Sequence, residues 1–382
     1  MCLLLKYNAD RMSLFDQITS PTLLLNKDRC LNNIRRMVAK AMASKVRFRP
    51  HFNTHQSYVI GEWFRPLSVT AITVSSVSMA KYFADHGWKN ITIAFPVNLR
   101  EIDTINNLAE RIHLELLVES HESIDFLADN LTAPVGLWLK ADVGAKRTGI
   151  PVNDQHSFLA LAKAAVRSQK LNLLGVLTHA GQTYHAGSVE NVKRIYQEAT
   201  GRLNTLKTTL QKAGFKDKQI SWGDTPSCSL VEDLSQVDEI RPGNFVLYDY
   251  TQYRIGSCQE DDIAAAVACP IVALHPEREE AVIYGGAIHL SKERIEENGI
   301  TSYGAVTVPT QTGWGNQLPG AYVKSLSQEH GIVHIPKENL RQIHIGDLLV
   351  VLPVHSCLVV DLFNKYITLD GEIIPTIQNE LV

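Results

Sequence analysis

From about residue 22 to residue 248, short runs rich in β-branched residues alternate with amphipathic stretches of helical period. No other feature of the chain limits its fold as strongly. The strand-like runs are Val46–Pro50, Val69–Ser75, Ile91–Phe95, Ile112–Val118, Val135–Lys140, Leu171–His179, Gln219–Gly223 and Glu239–Tyr248. Between them, Lys27–Ala43 places Leu31, Ile34, Met37 and Val38 on one helical face, and Met79–His86, Leu99–Leu108, Phe158–Val166 and Asn191–Ala213 behave similarly. Strand and helix in alternation build parallel β-α-β units, and eight such strands predict closure into a barrel. An open doubly wound sheet is the alternative, but no Gly-x-Gly-x-x-Gly follows an early strand to favour it.

After about Asp249 the rhythm changes. Ala264–Leu274, Glu280–Gly285, Thr301–Val308, Gly331–Ile335 and Leu348–Pro353 are strand-like, and Ile367-Thr368-Leu369 adds one more. The expected fold is therefore α/β: a (β/α)8 barrel over residues 18–250, with a second, mostly β domain made of residues 1–17 plus 251–382. A net charge of −3 without a basic stripe argues against nucleic acid as a partner. The apolar N-terminal run is too short for a signal peptide, and no stretch approaches the ~20 apolar residues of a membrane helix. Six cysteines without paired spacing do not form a disulfide framework. A cytoplasmic location, away from membranes, is the expectation.

In a barrel, functional groups stand at the C-terminal ends of the strands. The first run ends in Arg49-Pro50-His51-Phe52-Asn53-Thr54-His55, the fifth in Lys140-Ala141-Asp142 through Arg147, and the sixth in Thr178-His179-Ala180-Gly181-Gln182-Thr183-Tyr184. The seventh ends in Gly223-Asp224-Thr225-Pro226-Ser227, and the eighth carries Arg241-Pro242-Gly243-Asn244 and Tyr248-Asp249. Any one cluster is ordinary for a loop; five together point to a site, since buried polar groups need a partner or a ligand. The last two look made for a phosphate, with amides, hydroxyls and a bare glycine, although Asp224 suits an anion only if it points away. His355-Ser356-Cys357 follows a strand and puts an imidazole and a thiol on one side, a pairing that suits zinc. A buried cysteine beside a histidine is the plain alternative.

These clusters, with Thr22-Leu23-Leu24-Leu25 and its following helix, resemble the D-serine dehydratase and D-threonine aldolase group of alanine-racemase-like proteins. The resemblance spans both domains and rests on the order and spacing of the motifs. It implies pyridoxal phosphate (PLP) as cofactor, zinc, a small D-amino acid substrate and a homodimer. It places His179 against the cofactor ring, Tyr184 on the substrate side and Arg241 facing the pyridine nitrogen. Thr225, Gly243, Asn244 and Tyr248 would hold the phosphate, and His51 and Arg147 join the cofactor-binding set. His355 and Cys357 would be the zinc pair; the cysteine favours the dehydratase branch over the aldolase branch, which more usually has a carboxylate there. His51 as a loop residue, and Arg147 as a brace for Asp142, are the structural alternatives.

The chain departs from the group at one position. The group's first-strand motif is Arg-Pro-His-x-Lys-Thr, and here Asn53 replaces the lysine that forms the internal aldimine. An asparagine has no nucleophilic amine and does not titrate, so it supports neither covalent attachment nor α-proton abstraction. Lys140 and Lys146 lie at another strand end, and a lysine near the position of Lys140 has a structural role in alanine racemases. Two functions therefore compete: a PLP- and zinc-type lyase for small D-β-hydroxy amino acids, and a non-catalytic sensor or carrier of PLP or another phosphate ligand. A zinc chemistry without the covalent cofactor link is a third.

Overall fold

The structure is a computed structural model that describes residues 14–297 and 299–380. Eight parallel strands form the first unit: Arg47–Phe48, Ile72–Val74, Asn90–Pro96, His113–Val118, Val135–Asp142, Leu171–His179, Gln219–Gly223 and Glu239–Ile240. The first pairs with the eighth, and each later strand with the next. The ring closes between the first and second strand ends, where Thr73 N–H donates to Pro50 O at 2.9 Å and Phe52 N–H to Thr73 O at 2.9 Å. The expected barrel is present, and its helices follow the predicted periodicity. Lys27–Ala43 forms one helix, capped by the Asn26 side chain, and buries Cys30, Ile34, Met37, Val38 and Ala41. A further helix, His121–Asn130, starts from a Ser120 cap.

Two boundaries differ from expectation. The eighth strand stops at Ile240 rather than Tyr248. Pro242 has no N–H to continue a ladder, Asn244–Val246 makes a 3-10 turn, and Tyr248 adopts a left-handed φ of 48°. Thr22–Leu25, expected inside the barrel unit, pairs antiparallel with Ala265–Ala268 and parallel with Ile367–Thr368. It therefore belongs to the second sheet, and the first unit begins with the helix at Lys27. Of the N-terminal segment assigned to the β domain, residues 1–13 lie outside the described residues.

The second unit is a largely antiparallel sheet. In spatial order its strands are Glu280–Tyr284, His330–His334, Tyr322–Leu326, Gly304–Thr307, Leu348–Pro353, Ala265–His275, Thr22–Leu25, Lys365–Thr368 and Ile373–Pro375. Among the described residues, no helix is long and apolar enough to cross a membrane.

The barrel interior is not purely apolar. Arg49, buried beneath the first strand end, donates to Glu239 Oε2 at 2.9 Å, Glu115 Oε1 at 2.9 Å and Asn90 Oδ1 at 2.6 Å. Thr92 Oγ1 and Trp138 Nε1 donate to the other Glu115 oxygen at 2.6 and 2.7 Å. Ser221 Oγ donates to Glu239 Oε1 at 2.7 Å and accepts from Arg241 Nε at 2.7 Å. One chain of charge-assisted hydrogen bonds thus runs from the barrel centre to the guanidinium of Arg241.

Candidate active site at the barrel mouth

At the first strand end, alternate side chains part company. Phe52 packs among Phe64, Phe83 and Trp88, whereas His51 and Asn53 are half-buried. The Asn53 N–H lies 3.4 Å from His51 Nδ1. Burial, then the charges of Arg241 and Arg147, hold the His51 ring neutral, with its pKa near 3. His179 is also pushed well down, by burial and then by Lys140, Arg147, Arg241 and His51. Its ring lies 6.0 Å from that of Tyr184. Arg241 is buried, hydrogen-bonded to Thr178 O and Ser221, and lowered to about 10 by its desolvation. These shared influences put His51, Lys140, Arg147, His179 and Arg241 within electrostatic reach of one another. Arg147 itself is exposed on its loop. Asp142 does not brace it: its Oδ1 accepts from Gly144 N–H at 2.8 Å and Lys146 N–H at 3.1 Å.

The seventh and eighth strand ends supply a cradle. Asp224 caps the following turn, its Oδ1 accepting from Ser227 N–H at 2.6 Å and Thr183 Oγ1 at 3.1 Å. Burial pushes its carboxyl up to about 7, so much of its charge is suppressed near neutrality. This answers the difficulty of a carboxylate beside an anion. Thr225 Oγ1 and Ser227 Oγ are buried and make no hydrogen bond of good geometry, although Tyr184 and Asp224 lie near them, and Asn244 Oδ1 is likewise unpaired. The Thr225 N–H donates to Tyr184 Oη at 3.3 Å. At Gly243 an added Cβ would stand 2.9 Å from His51 O and 3.0 Å from Thr54 Oγ1, so the two strand ends touch there through bare backbone. Tyr248 is buried, and its hydroxyl meets Ser229 Oγ at 3.1 Å.

His355 and Cys357 reach this mouth from the second domain. Cys357 Sγ lies 3.2 Å from Thr54 Oγ1 and 3.7 Å from Asn244 Nδ2. Each of the two side chains shifts the other: the imidazole lowers the thiol pKa against burial, and the thiol's charge raises the imidazole to about 9 against its own burial. Among the described residues, no third histidine, cysteine or carboxylate completes a metal-binding group with them. Asp249, singled out only as a neighbour of Tyr248 in the sequence, is what fixes this corner. It accepts from Asn244 Nδ2, the Ser356 N–H at 3.1 Å and the Gln252 N–H at 2.9 Å. Glu119 escaped the sequence reading altogether; it follows the fourth strand, and its Oε2 is buried without a partner.

A closed parallel barrel with its polar groups at the strand ends, joined to an antiparallel domain that lends two more, is the architecture of alanine-racemase-type proteins. The model of the alanine racemase N-terminal domain matches residues 25–251, and that of the putative serine dehydratase domain matches residues 264–369. The chain belongs to this alanine-racemase-like family, in its D-serine dehydratase and D-threonine aldolase group. It is 26% identical to the D-threo-3-hydroxyaspartate dehydratase of Delftia sp. (strain HT23), over 89% of this chain and 91% of that one. It is also 26% identical to the D-serine dehydratase of Dictyostelium discoideum, over 94% and 95% of the two chains. The solved structure of the Delftia dehydratase superposes with a TM-score of 0.86 at 24% identity, covering 96% of this chain and 99% of that one.

Proposed function

We propose that the barrel mouth binds pyridoxal phosphate together with a small D-β-hydroxy amino acid, as a lyase site. The observation that carries this is the pair of buried hydroxyls at the seventh strand end, Thr225 Oγ1 and Ser227 Oγ, which make no hydrogen bond of good geometry although Tyr184 and Asp224 are near, together with a Gly243 at the eighth strand end that has no room for a side chain. Buried hydroxyls without a well-formed hydrogen bond are rare in folded proteins and fit the acceptors of a phosphate. Arg241, held by Ser221 and Thr178, would face the ring, with His179 packed against it and Tyr184 toward the substrate. When bound, PLP supplies an electron sink for bonds at the α-carbon of the amino acid.

His355 and Cys357 fit zinc in donor chemistry, an imidazole beside a thiol of lowered pKa. Two protein donors leave positions for ligand groups, and zinc there would polarise the β-hydroxyl as a Lewis acid. Thr54 and Asn244 orient the thiol; Asp249 orients Asn244. The relatives named above are a D-threo-3-hydroxyaspartate dehydratase and a D-serine dehydratase, which supports the substrate class. Exposed Leu358, on the helix after His355, Leu362 at the C-terminal cap of that helix, and exposed Ile288 on the helix packed against it, are the face on which a second copy would sit as a homodimer. A cytoplasmic location suits the five free cysteines among the described residues.

Asn53 favours a second reading, a protein that binds PLP without turnover. The two part on one experiment: PLP titration followed by absorbance, with zinc analysis, and ammonia release from D-serine and D-threo-3-hydroxyaspartate, for the wild type and Asn53→Lys. The lyase reading expects PLP and zinc binding in both chains, and measurable turnover that Asn53→Lys raises by roughly 10²–10⁴-fold. Binding without turnover in either chain supports the second reading. Absence of PLP binding in both overturns the two together.

A further inference from the structure

We propose that Lys140 supplies the amine that Asn53 lacks, joining the aldehyde carbon of PLP at the barrel mouth. The inference rests on the PLP reading above and adds the covalent link.

Lys140 sits near the end of the fifth strand and is the one buried lysine among the described residues, with 5% of its surface exposed. Its ammonium nitrogen has no hydrogen-bond or ion-pair partner among them and is not one of the fully buried unpaired atoms, so it keeps access to open space and is not locked into a structural ion pair. Its stem is pinned from one side. Gly149 returns over the strand with φ of 106°, and a Cβ there would stand 2.9 Å from Lys140 Cγ. The groups it acts on are those of the proposed ring site, since its charge is felt by His179 and it feels those of Arg241 and Arg147.

Burial, followed by the repulsion of Arg241 and Arg147, brings the Lys140 amine down to about 7, against the weaker pull of Asp142 and Glu119. About half of it is neutral at pH 7, where an ordinary lysine is neutral in roughly one molecule in 3,000. A cationic, desolvated pocket is a known way to prepare a lysine for attack on a carbonyl. The neutral nitrogen adds to the aldehyde carbon. A carbon–nitrogen double bond replaces the carbon–oxygen one, and the oxygen leaves as water with the two protons of the amine. No oxidant or reductant is required. Asp142 is occupied by backbone amides of its own loop, so the unpartnered Glu119 oxygen is the carboxylate free to relay those protons. The exposed Lys146 shares none of this environment.

The test is to incubate the whole protein with PLP, reduce it with borohydride, digest it and map the labelled lysine by mass spectrometry. Lys140→Met is run in parallel, and binding of pyridoxamine 5′-phosphate, which needs no protein amine, is measured by calorimetry. We expect the label on Lys140, with half-maximal labelling rate near pH 7. We expect Lys140→Met to lose the label by at least a hundredfold while pyridoxamine 5′-phosphate binding weakens less than tenfold. A label on Lys146 or another lysine, or no label while pyridoxamine 5′-phosphate binds, overturns the proposal and leaves the PLP reading standing. Failure of both PLP and pyridoxamine 5′-phosphate to bind overturns both. If Lys140→Met does not fold, the position of the label in the wild type decides alone.

Discussion

Replacing Glu115 by glutamine should destabilise the protein by an amount that shrinks as the pH falls. Burial alone would raise this carboxyl, but the His113 ring, the Arg49 guanidinium, Thr92 and Trp138 together hold it at about 2 against an ordinary 4.5. Because the folded value lies below the unfolded one, the stabilisation is complete above pH 4.5 and is lost as the pH falls toward 2. A shift of this size is worth about 3 kcal/mol at pH 7, and about 2 kcal/mol remains at pH 3.5. Glutamine cannot stand in for the carboxylate. Arg49 points a donor at one oxygen, and Thr92 and Trp138 point donors at the other. Either orientation of the amide therefore sets an NH₂ group against a buried donor. Removing one partner of a buried pair typically costs about 3–5 kcal/mol, in line with the first figure. Urea unfolding of the wild type and Glu115→Gln at pH 7 and pH 3.5, followed by tryptophan fluorescence, measures the gap directly, with Trp138 as a reporter on the network itself. A gap below about 1 kcal/mol at pH 7, or one that widens as the pH falls, would refute the reasoning.

Other consequences can be measured at the site. Gly243→Ala forces a methyl between His51 O and Thr54 Oγ1 at 2.9 and 3.0 Å. It should weaken PLP binding in calorimetry at least tenfold, with a stability loss of about 1–3 kcal/mol. Asp224 is held up to about 7 by burial, so the folded state keeps its proton where the unfolded chain has lost it, and stability falls as the pH rises from about 4 through 7. Asp224→Asn should flatten that slope in thermal melts at pH 4.5 and 7.5, while its Oδ1 still accepts from Ser227. Cys357→Ala should abolish stoichiometric zinc in metal analysis and leave the far-ultraviolet circular dichroism unchanged, since its thiol contributes only side-chain contacts to Thr54, Asn244 and His355.

The barrel was legible because its signal is periodic. Runs such as Leu171–His179 and Gln219–Gly223 form strands over the predicted residues, bounded by helices whose apolar faces are equally plain. Thr22–Leu25 was not legible in the same way. A four-residue apolar run carries no mark of the strand it pairs with, and its partners, Ala265–Ala268 and Ile367–Thr368, lie more than two hundred residues away. The polar interior escaped for a related reason. Pattern reading equates an inward position with an apolar side chain, whereas Arg49, Glu115 and Glu239 point inward and are satisfied by one another and by polar neighbours such as Asn90, Thr92, Trp138 and Ser221, brought together from different strands.

The site divides along the same line. Motifs local in sequence, such as Gly223-Asp224-Thr225 and His355-Ser356-Cys357, could be read with their chemistry attached, because neighbouring residues supply the geometry. Properties created by the meeting of distant segments could not. Cys357 touches Thr54 across 303 positions, Asn244 bridges Asp249 to Ser356, and Glu119 Oε2 is buried without a partner. Lys140 shows the difference most sharply. In the sequence it is one lysine near a strand end, matched by resemblance only to a structural role, with Lys146 six residues on. In the fold it is buried, makes no ion pair and feels the charges of Arg241 and Arg147, whereas Lys146 is exposed. The loss of the amine at Asn53 therefore leaves a second lysine in the barrel, Lys140, whose burial and lowered pKa come from the fold and not from its sequence neighbours.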